Sequence, residues 1–217
     1  MDDDCTLALI TPPSVAVMTR ADVKTMLGIS GTDQDGQIDA ALLAAVDILD
    51  PASGGWLGRA LRPQQWELRL SAFPRCPIEL PNPPLIQVDS FVYDDQGGTT
   101  RTMVAGTNYR ILGAGSLGKQ SLAPLYNQLW PVARKDRETV RVRYTAGYAA
   151  TPNDLLPPRI KTAIALSIRG LLSNSANAFV MADKVDGIGE QRFAVTETAA
   201  RTLTDAISNL LSTARAW

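Results

Sequence analysis

The chain contains no histidine. That removes the commonest metal ligand and the commonest general base near neutral pH. A serine or threonine nucleophile would have to rely on lysine or a carboxylate, so no enzyme is expected and no catalytic, cofactor-binding or metal-ligating residue is assigned. Only two cysteines are present, Cys5 and Cys76. They lie far apart and make no disulfide framework; they are read as unpaired thiols, with a bridge between them left open. No apolar run approaches the ~20 residues of a membrane span, so no membrane partner is expected. The N-terminal MDDDCTLALI is acidic where a signal peptide is basic, and the expectation is a soluble chain made in a cytoplasm. An excess of charge is lacking too. With 21 basic against 22 acidic residues, no global field draws the chain to nucleic acid or membrane.

A compact chain of 217 residues buries roughly 70% of its unfolded surface, enough for one elaborated domain or two small ones. The most informative stretch runs from Pro81 to Gly98. After three prolines, Leu85, Gln87, Asp89, Phe91 and Tyr93 alternate with Ile86, Val88, Ser90 and Val92, and Asp94-Asp-Gln-Gly-Gly follows. Period two bounded by prolines and glycines predicts a half-buried strand opening a hairpin, with the β-branched residues on one face. Further on, Val140, Val142 and Tyr144 alternate with Arg141, Arg143 and Thr145, a strand with one apolar and one basic face. Shorter strands are expected at WELRL, Thr100–Val104 and Tyr109–Leu112.

Helical signals flank this region. Thr19 before Arg-Ala-Asp is a cap for a short helix ending at Gly28. A second helix is expected from about Gln34 to Leu49, with Ile38, Leu42, Ala45, Val46 and Leu49 recurring at spacings of three and four. Trp56, Leu57 and Leu61 read as an apolar plug. Helix returns after Pro157-Pro158, with Ile160, Ile164, Ile168, Leu171 and Leu172 on one stripe and Ala163, Ser167 and Gly170 on a small-residue stripe. Ala176 to Gln191 shows no period and reads as a loop or arm. A last helix runs from about Glu197 to Arg215. The expected fold is α+β: terminal helices forming a helical core (19–62 and 152–217, with a C-terminal arm), an inserted antiparallel β-sheet or sandwich (63–151), and an N-terminal arm (1–18).

Several motifs tempt. Gly113-Ala-Gly-Ser-Leu-Gly-Lys-Gln matches a phosphate loop up to its last position, where Gln120 stands in place of serine or threonine. Pro124 and Pro131 follow, and no helical stripe does, so a glycine-rich connection between two strands is preferred. Asp33-Gln-Asp-Gly and Asp94-Asp-Gln-Gly lack the glutamate of a calcium loop and read as helix-start and turn chemistry. Arg134, Lys135, Arg137, Arg141 and Arg143 are the densest basic cluster, a candidate phosphate-facing rim. The preferred account is a solvated strand face partly neutralised by Asp136 and Glu138.

In order along the chain, TRADVKTMLGI, DQDGQIDAALLAAVDILD, GGWLGRALRPQQWELRLSAFP, LPNPPLIQVDSFVYDDQGG, VRVRYTAGY, LLPPRIKTAIALSI and LTDAISNLL resemble the head–tail connector (adaptor) proteins of tailed bacteriophages, the gp6-like and gp8-like group. The chain departs from them after the Pro157 helix, where Leu172-Ser-Asn-Ser-Ala-Asn replaces a tyrosine and an acidic–basic cluster. The resemblance implies a structural virion protein at the head–tail interface. Such proteins form a homo-oligomeric ring, usually a dodecamer, under the portal protein. They extend the DNA channel and dock the next neck or tail-side protein, while DNA passes through the lumen without sequence-specific binding. Gly187, Gly189, Leu203, Ile207, Leu210, Leu211 and Trp217 are candidates for portal docking; whether the last helix packs within one subunit or between neighbours stays open. The turns at Asp94–Gly98 and Gly113–Gly118 are weaker contact candidates. The alternative is a non-viral β-sandwich binding module on a helical scaffold; a nucleotide enzyme built on the Gly113 loop is a distant third.

Overall fold

The computed structural model describes residues 5–150, 154–177, 183–185, 189–191, 197–212 and 214–215. Strand β1 (Cys5–Thr11) is followed by helices α1 (Arg20–Leu27) and α2 (Asp35–Leu49) and a 3₁₀ turn at Pro51–Ser53. Seven strands come next: β2 (Gln64–Leu70), β3 (Ile78–Leu80), β4 (Leu85–Asp94), β5 (Thr100–Thr102), β6 (Tyr109–Leu112), β7 (Gln120–Pro124) and β8 (Val140–Ala146). Helix α3 (Pro158–Asn177), the short strands β9 (Asp183–Val185) and β10 (Gly189–Gln191), and helix α4 (Glu197–Ser212) complete the order. The fold is α+β, as the pattern of elements predicts. Two compact units emerge, one of residues up to Ala16 with Asp50–Leu156, the other of Val17–Leu49 with Pro157–Arg215.

The first unit is a β-sandwich. An antiparallel five-stranded sheet, in order β1-β2-β8-β4-β5, faces a three-stranded sheet in order β3-β7-β6. The core lies between them, formed by Trp66, Leu68, Val140, Val142 and Tyr144 on one side and Ile78, Leu80, Tyr109 and Leu122 on the other. Along β8, Val140, Val142, Tyr144 and Ala146 are buried and the residues between them half-buried, the alternation expected of a strand with one core face.

Strand β4 departs from the simple alternation. Its register against β8 slips between Leu85 and Gln87 and again between Val88 and Ser90. Each bulge adds one residue and turns the following side chains to the other face. The core-facing residues are therefore Leu85, Val88, Phe91 and Tyr93, while Ile86 is exposed. The β-branched face expected from the sequence does not exist as such. Strand β1 lies among residues expected to be an arm, because its nearly continuous apolar run carries no period-two signal. At the other end of β8, Gly147 has φ +129, and a Cβ there would lie 2.1 Å from the carbonyl oxygen of Arg62. Two main chains cross at that point, and only glycine allows it.

In the helical unit, α1 starts with a capping box. Asp22 N donates to Thr19 Oγ1 at 3.1 Å and Thr19 N donates to the Asp22 carboxylate at 2.9 Å. Asp35 opens α2 and accepts from Lys24 at 2.7 Å and Arg20 at 3.0 Å, which ties the two helices together. Ile38, Ala41, Ala45 and Leu49 are the buried face of α2. Helix α3 packs on α1, α2 and α4 and buries Ile160, Ala163, Ile164 and Ile168. Leu171, expected on this stripe, is exposed, whereas Leu172, next on the i+4 row through Ile160, Ile164 and Ile168, is half-buried. Within the span expected as a loop or arm, β9 and β10 pair antiparallel, Gly189 opposite Val185. Leu57 and Leu61 are fully buried, but Trp56 is 44% exposed and is no plug.

Candidate interaction surfaces

The second face of the five-stranded sheet carries the charge. Because β8 alternates, Arg141, Arg143 and Thr145 emerge together opposite Arg69, Glu67 and Gln65 of β2. Arg141 makes two bonds of 3.0 Å to the Asp94 carboxylate. Arg143 donates to Glu67 from Nε at 3.0 Å and from a terminal nitrogen at 2.7 Å. Arg69 reaches Glu67 at 2.7 Å and Glu138 at 3.3 Å. Burial alone would raise the Glu67 pKa, but the hydrogen bonds from Arg143 and Arg69 outweigh it and hold the carboxyl below its usual range. Asp94 is held low by Arg141, helped by the Thr100 hydroxyl. Three guanidinium groups thus face the carboxylates of Glu67, Asp94 and Glu138, and Asp89, which accepts from Gln65 and Thr145, leaves the face close to neutral with one carboxylate in excess.

The basic cluster therefore divides. Arg141 and Arg143 are paired on the sheet, whereas Arg134, Lys135 and Arg137 sit on an exposed segment before β8. That segment is held to the end of β4, with Arg134 N donating to Asp94 O at 2.9 Å and Ala133 bridging Asp95. Arg134 lies 3.6 Å from Asp136. Lys135 and Arg137 have no carboxylate partner among the described residues.

A surface that sequence reasoning missed lies between β7 and β8. Trp130 folds inward, stacked on Phe73 with ring centroids 5.2 Å apart and edge-on to Phe91 at 5.8 Å. Around it the loop turns at Leu125–Gln128, with Asn127 at φ 56. Tyr126, Leu129 and Val132 are left 83%, 92% and 67% exposed. Large apolar side chains on an anchored loop are an interaction signal. In the sequence they look like core residues, and only their lack of period within a proline-bounded segment sets them apart.

The glycine-rich segment from Gly113 to Lys119 is a hairpin loop joining β6 to β7, which pair from Tyr109 opposite Pro124 to Leu112 opposite Ser121. A strand follows where a phosphate loop needs a helix. Gln120 is buried; its carboxamide donates to Ser116 O at 2.5 Å and accepts from Leu85 N at 3.0 Å. Ser116 and Lys119 also stand in Ser-x-x-Lys spacing, but Ser116 Oγ meets Gln120 at 3.4 Å and Lys119 lies 3.6 Å from Glu79. At Asp94–Gly98 the Asp95 carboxylate accepts from Gly97 N at 3.0 Å and Thr99 N at 2.9 Å, the turn chemistry expected there. Cys5 and Cys76 are free thiols lining one cavity of about 500 Å³ with Leu68, Leu70 and Ile78, and burial raises the Cys5 pKa. Among the described residues no cysteine–carboxylate cluster is arranged to hold a metal ion, and no helix is long and apolar enough to cross a membrane.

Of the residues expected to dock on a portal, Leu211 is 1% exposed and belongs to the core of the helical unit. A Cβ at Gly170 would lie 3.0 Å from Leu203 Cδ2, so Leu203 packs against α3 of its own chain. Ile207 and Leu210 are half-buried, and Gly189 opens β10. Gly187 and Trp217 lie outside the described residues.

No protein-family model and no curated protein matches the chain. Solved structures do. A chain of the virion of a native gene transfer agent (GTA) particle superimposes with a TM-score of 0.64 at 18% identity, over 97% of this chain and 95% of that one. The fold is shared end to end. A chain in the neck of an empty GTA particle, computed with C6 symmetry, gives 0.62 at 18% identity over 98% and 96%. One in the neck of a native GTA particle, computed with C12 symmetry, gives 0.54 at 17% identity over 98% and 96%.

Proposed function

We propose that this chain is a structural protein of the neck of a phage-like particle, a head–tail connector (adaptor) of the gp6-like and gp8-like kind. It forms a twelvefold ring under the portal, extends the DNA channel and docks the next neck or tail-side protein. The observation that carries this reading is a fold common to at least 97% of the chain and to chains of GTA particle necks, together with the ordered motif resemblance in the sequence. A neighbour computed with C12 symmetry supports the twelvefold ring.

Local chemistry agrees with a passive channel component. Paired arginines leave a nearly neutral sheet face, and a neutral wall does not hold a polyanion that must pass. For docking the next protein, the anchored tip with Tyr126, Leu129 and Val132 is the best surface. For the portal, the segment from Val185 onward remains the proposed contact, with Ile207 and Leu210 as the helix residues still partly accessible.

The test is mass by light scattering, for the protein alone and then with its cognate portal. Joining the portal in matched ring stoichiometry supports the connector. Indifference to the portal overturns it and favours a β-sandwich binding module.

A further inference from the structure

We infer that Cys5 and Cys76 form a disulfide across the cavity between the two sheets, locking the segment on which the docking tip rests. The inference takes the tip and the virion setting from the function proposed above.

The chain has only these two cysteines, and the sandwich brings both to one cavity of about 500 Å³. Cys5 opens β1 opposite Leu70, the last residue of β2, and packs on the sandwich core. Cys76 lies in residues 71–77, where the chain leaves the five-stranded sheet at Leu70 and enters the three-stranded sheet at Ile78. That position decides the geometry. Facing sheets stand about 10 Å apart, too far for a disulfide, whose Cα atoms lie about 4.4–6.8 Å apart. A residue on a segment that crosses the gap is not held a full sheet spacing away. Leu68 and Leu70 wall one side of the cavity, Ile78 and Ser121 the other. Among the described residues no third cysteine or carboxylate joins the two thiols in a metal-binding group, which leaves a bond between them as the chemistry the cavity offers.

The same crossing segment carries Phe73, whose ring stacks on Trp130 at 5.2 Å, and Trp130 seats the loop that displays Tyr126, Leu129 and Val132. At its start the Ser71 carbonyl accepts from the Thr139 hydroxyl at 2.8 Å. From there to Ile78 no strand pairing holds it among the described residues, so a bond at Cys76 supplies a covalent anchor. Disulfides form where the glutathione pool no longer keeps thiols reduced, and a virion leaves the cytoplasm that made it. The oxidant is a low-molecular-weight disulfide. Cys76 is exposed, while Cys5 is half-buried with its pKa raised by burial, so Cys76 reacts first. Its thiolate attacks one sulfur of the oxidant and releases one thiolate, leaving a mixed disulfide. Cys5 Sγ then attacks Cys76 Sγ and releases the second thiolate. The two cysteine protons end on the two released thiols, and the S–S bond of the oxidant takes up the two electrons.

The test uses the full chain in two glutathione buffers, one reduced and one oxidised. No portal is present, so its failure leaves the proposed function standing. In the oxidised buffer the expected chain is lighter by two hydrogen atoms and unlinked to other chains on a non-reducing gel. Its tryptic digest joins the peptide that holds Cys5 to the one that holds Cys76. The melting temperature rises by at least about 5 °C, and amide exchange in residues 125–133 slows at least about threefold. Cys5→Ala and Cys76→Ala, each alone, melt alike in both buffers. Glutathione adducts without the linked peptide, or bonds between chains, overturn the inference. So does a rise in melting shared by either single variant. A linked peptide with unchanged exchange at the tip overturns it as well, because the bond then locks nothing there.

Discussion

The β-sandwich fills its core with rings, and the helical unit fills its own with small and branched side chains. Phe73, Phe91, Tyr93, Tyr109 and Trp130 form one aromatic cluster, Phe91 meeting Tyr109 edge-on at 5.1 Å. Among the described residues the helical unit has no aromatic side chain, and alanines at 41, 45 and 163 with Gly170 line its contacts. The difference follows from geometry. Facing sheets leave a gap of about 10 Å that needs bulk, whereas helices at 8–10 Å between axes need small residues where they touch. The sandwich should therefore be brittle where main chains meet, and the helical unit should respond mildly to a methyl group.

The largest effect is expected at Gly147. Gly147→Ala sets a Cβ 2.1 Å from the Arg62 carbonyl oxygen, and neither backbone can yield. The loss should exceed about 4 kcal/mol, visible as the disappearance of a cooperative melt followed by near-UV circular dichroism. A variant melting within a few degrees of wild type would show that the crossing is not as tight as described.

Acid should act next, on the sandwich through Glu67 and Asp94 and on the helical unit through Asp35. Glu67 and Asp94 have folded pKa values lowered from 4.5 and 3.8. A lowered carboxyl stabilises the fold above its unfolded pKa, and that stability is lost as pH falls through the folded value. Denaturant midpoints should thus decline below about pH 4.5. Glu67→Gln should cost about 1–3 kcal/mol at pH 7 and flatten that decline; an unchanged slope would remove Glu67 from the account. In the helical unit, Asp35 is lowered by Lys24 and Asp39 by Arg20. The Arg20–Asp39 pair is 45% and 43% exposed and contributes little, which leaves the less exposed Lys24–Asp35 pair as the contact acid weakens there.

The legibility of the chain followed the same division. Helices α1, α2, α3 and α4 were readable because capping and i+4 recurrence are local. The path of β4 was not, since its bulges appear only against β8 and the alternation of letters is uninterrupted. The three residues of β3 and the proline-flanked β7 are too short to show a period. For the surfaces, the cluster of arginines was visible, but the partners of Arg141 and Arg143 come from β4 and β2, 47 and 76 residues away in sequence. The exposed tip around Leu129 was hidden by its own hydrophobicity.

The smallest effect is expected at Gly170. Gly170→Ala gains helix propensity of about 1 kcal/mol but presses on Leu203 Cδ2 at 3.0 Å, so the net change should stay within about 1 kcal/mol. A double-mutant cycle with Leu203→Ala should show coupling of about 0.5 kcal/mol or more. Additivity would mean that Leu203 does not rest on α3 and is free for another partner.

The seating of Trp130 separates two kinds of change. One ring, wedged between Phe73 and Phe91, supports the loop that displays Tyr126 and Leu129, and those two side chains contribute nothing to the core beneath. Substitutions at the tip can follow those in a partner's matching surface without cost to folding. Loss of the wedge would silence every variant of the tip at once. Recognition here can drift while the scaffold stays still.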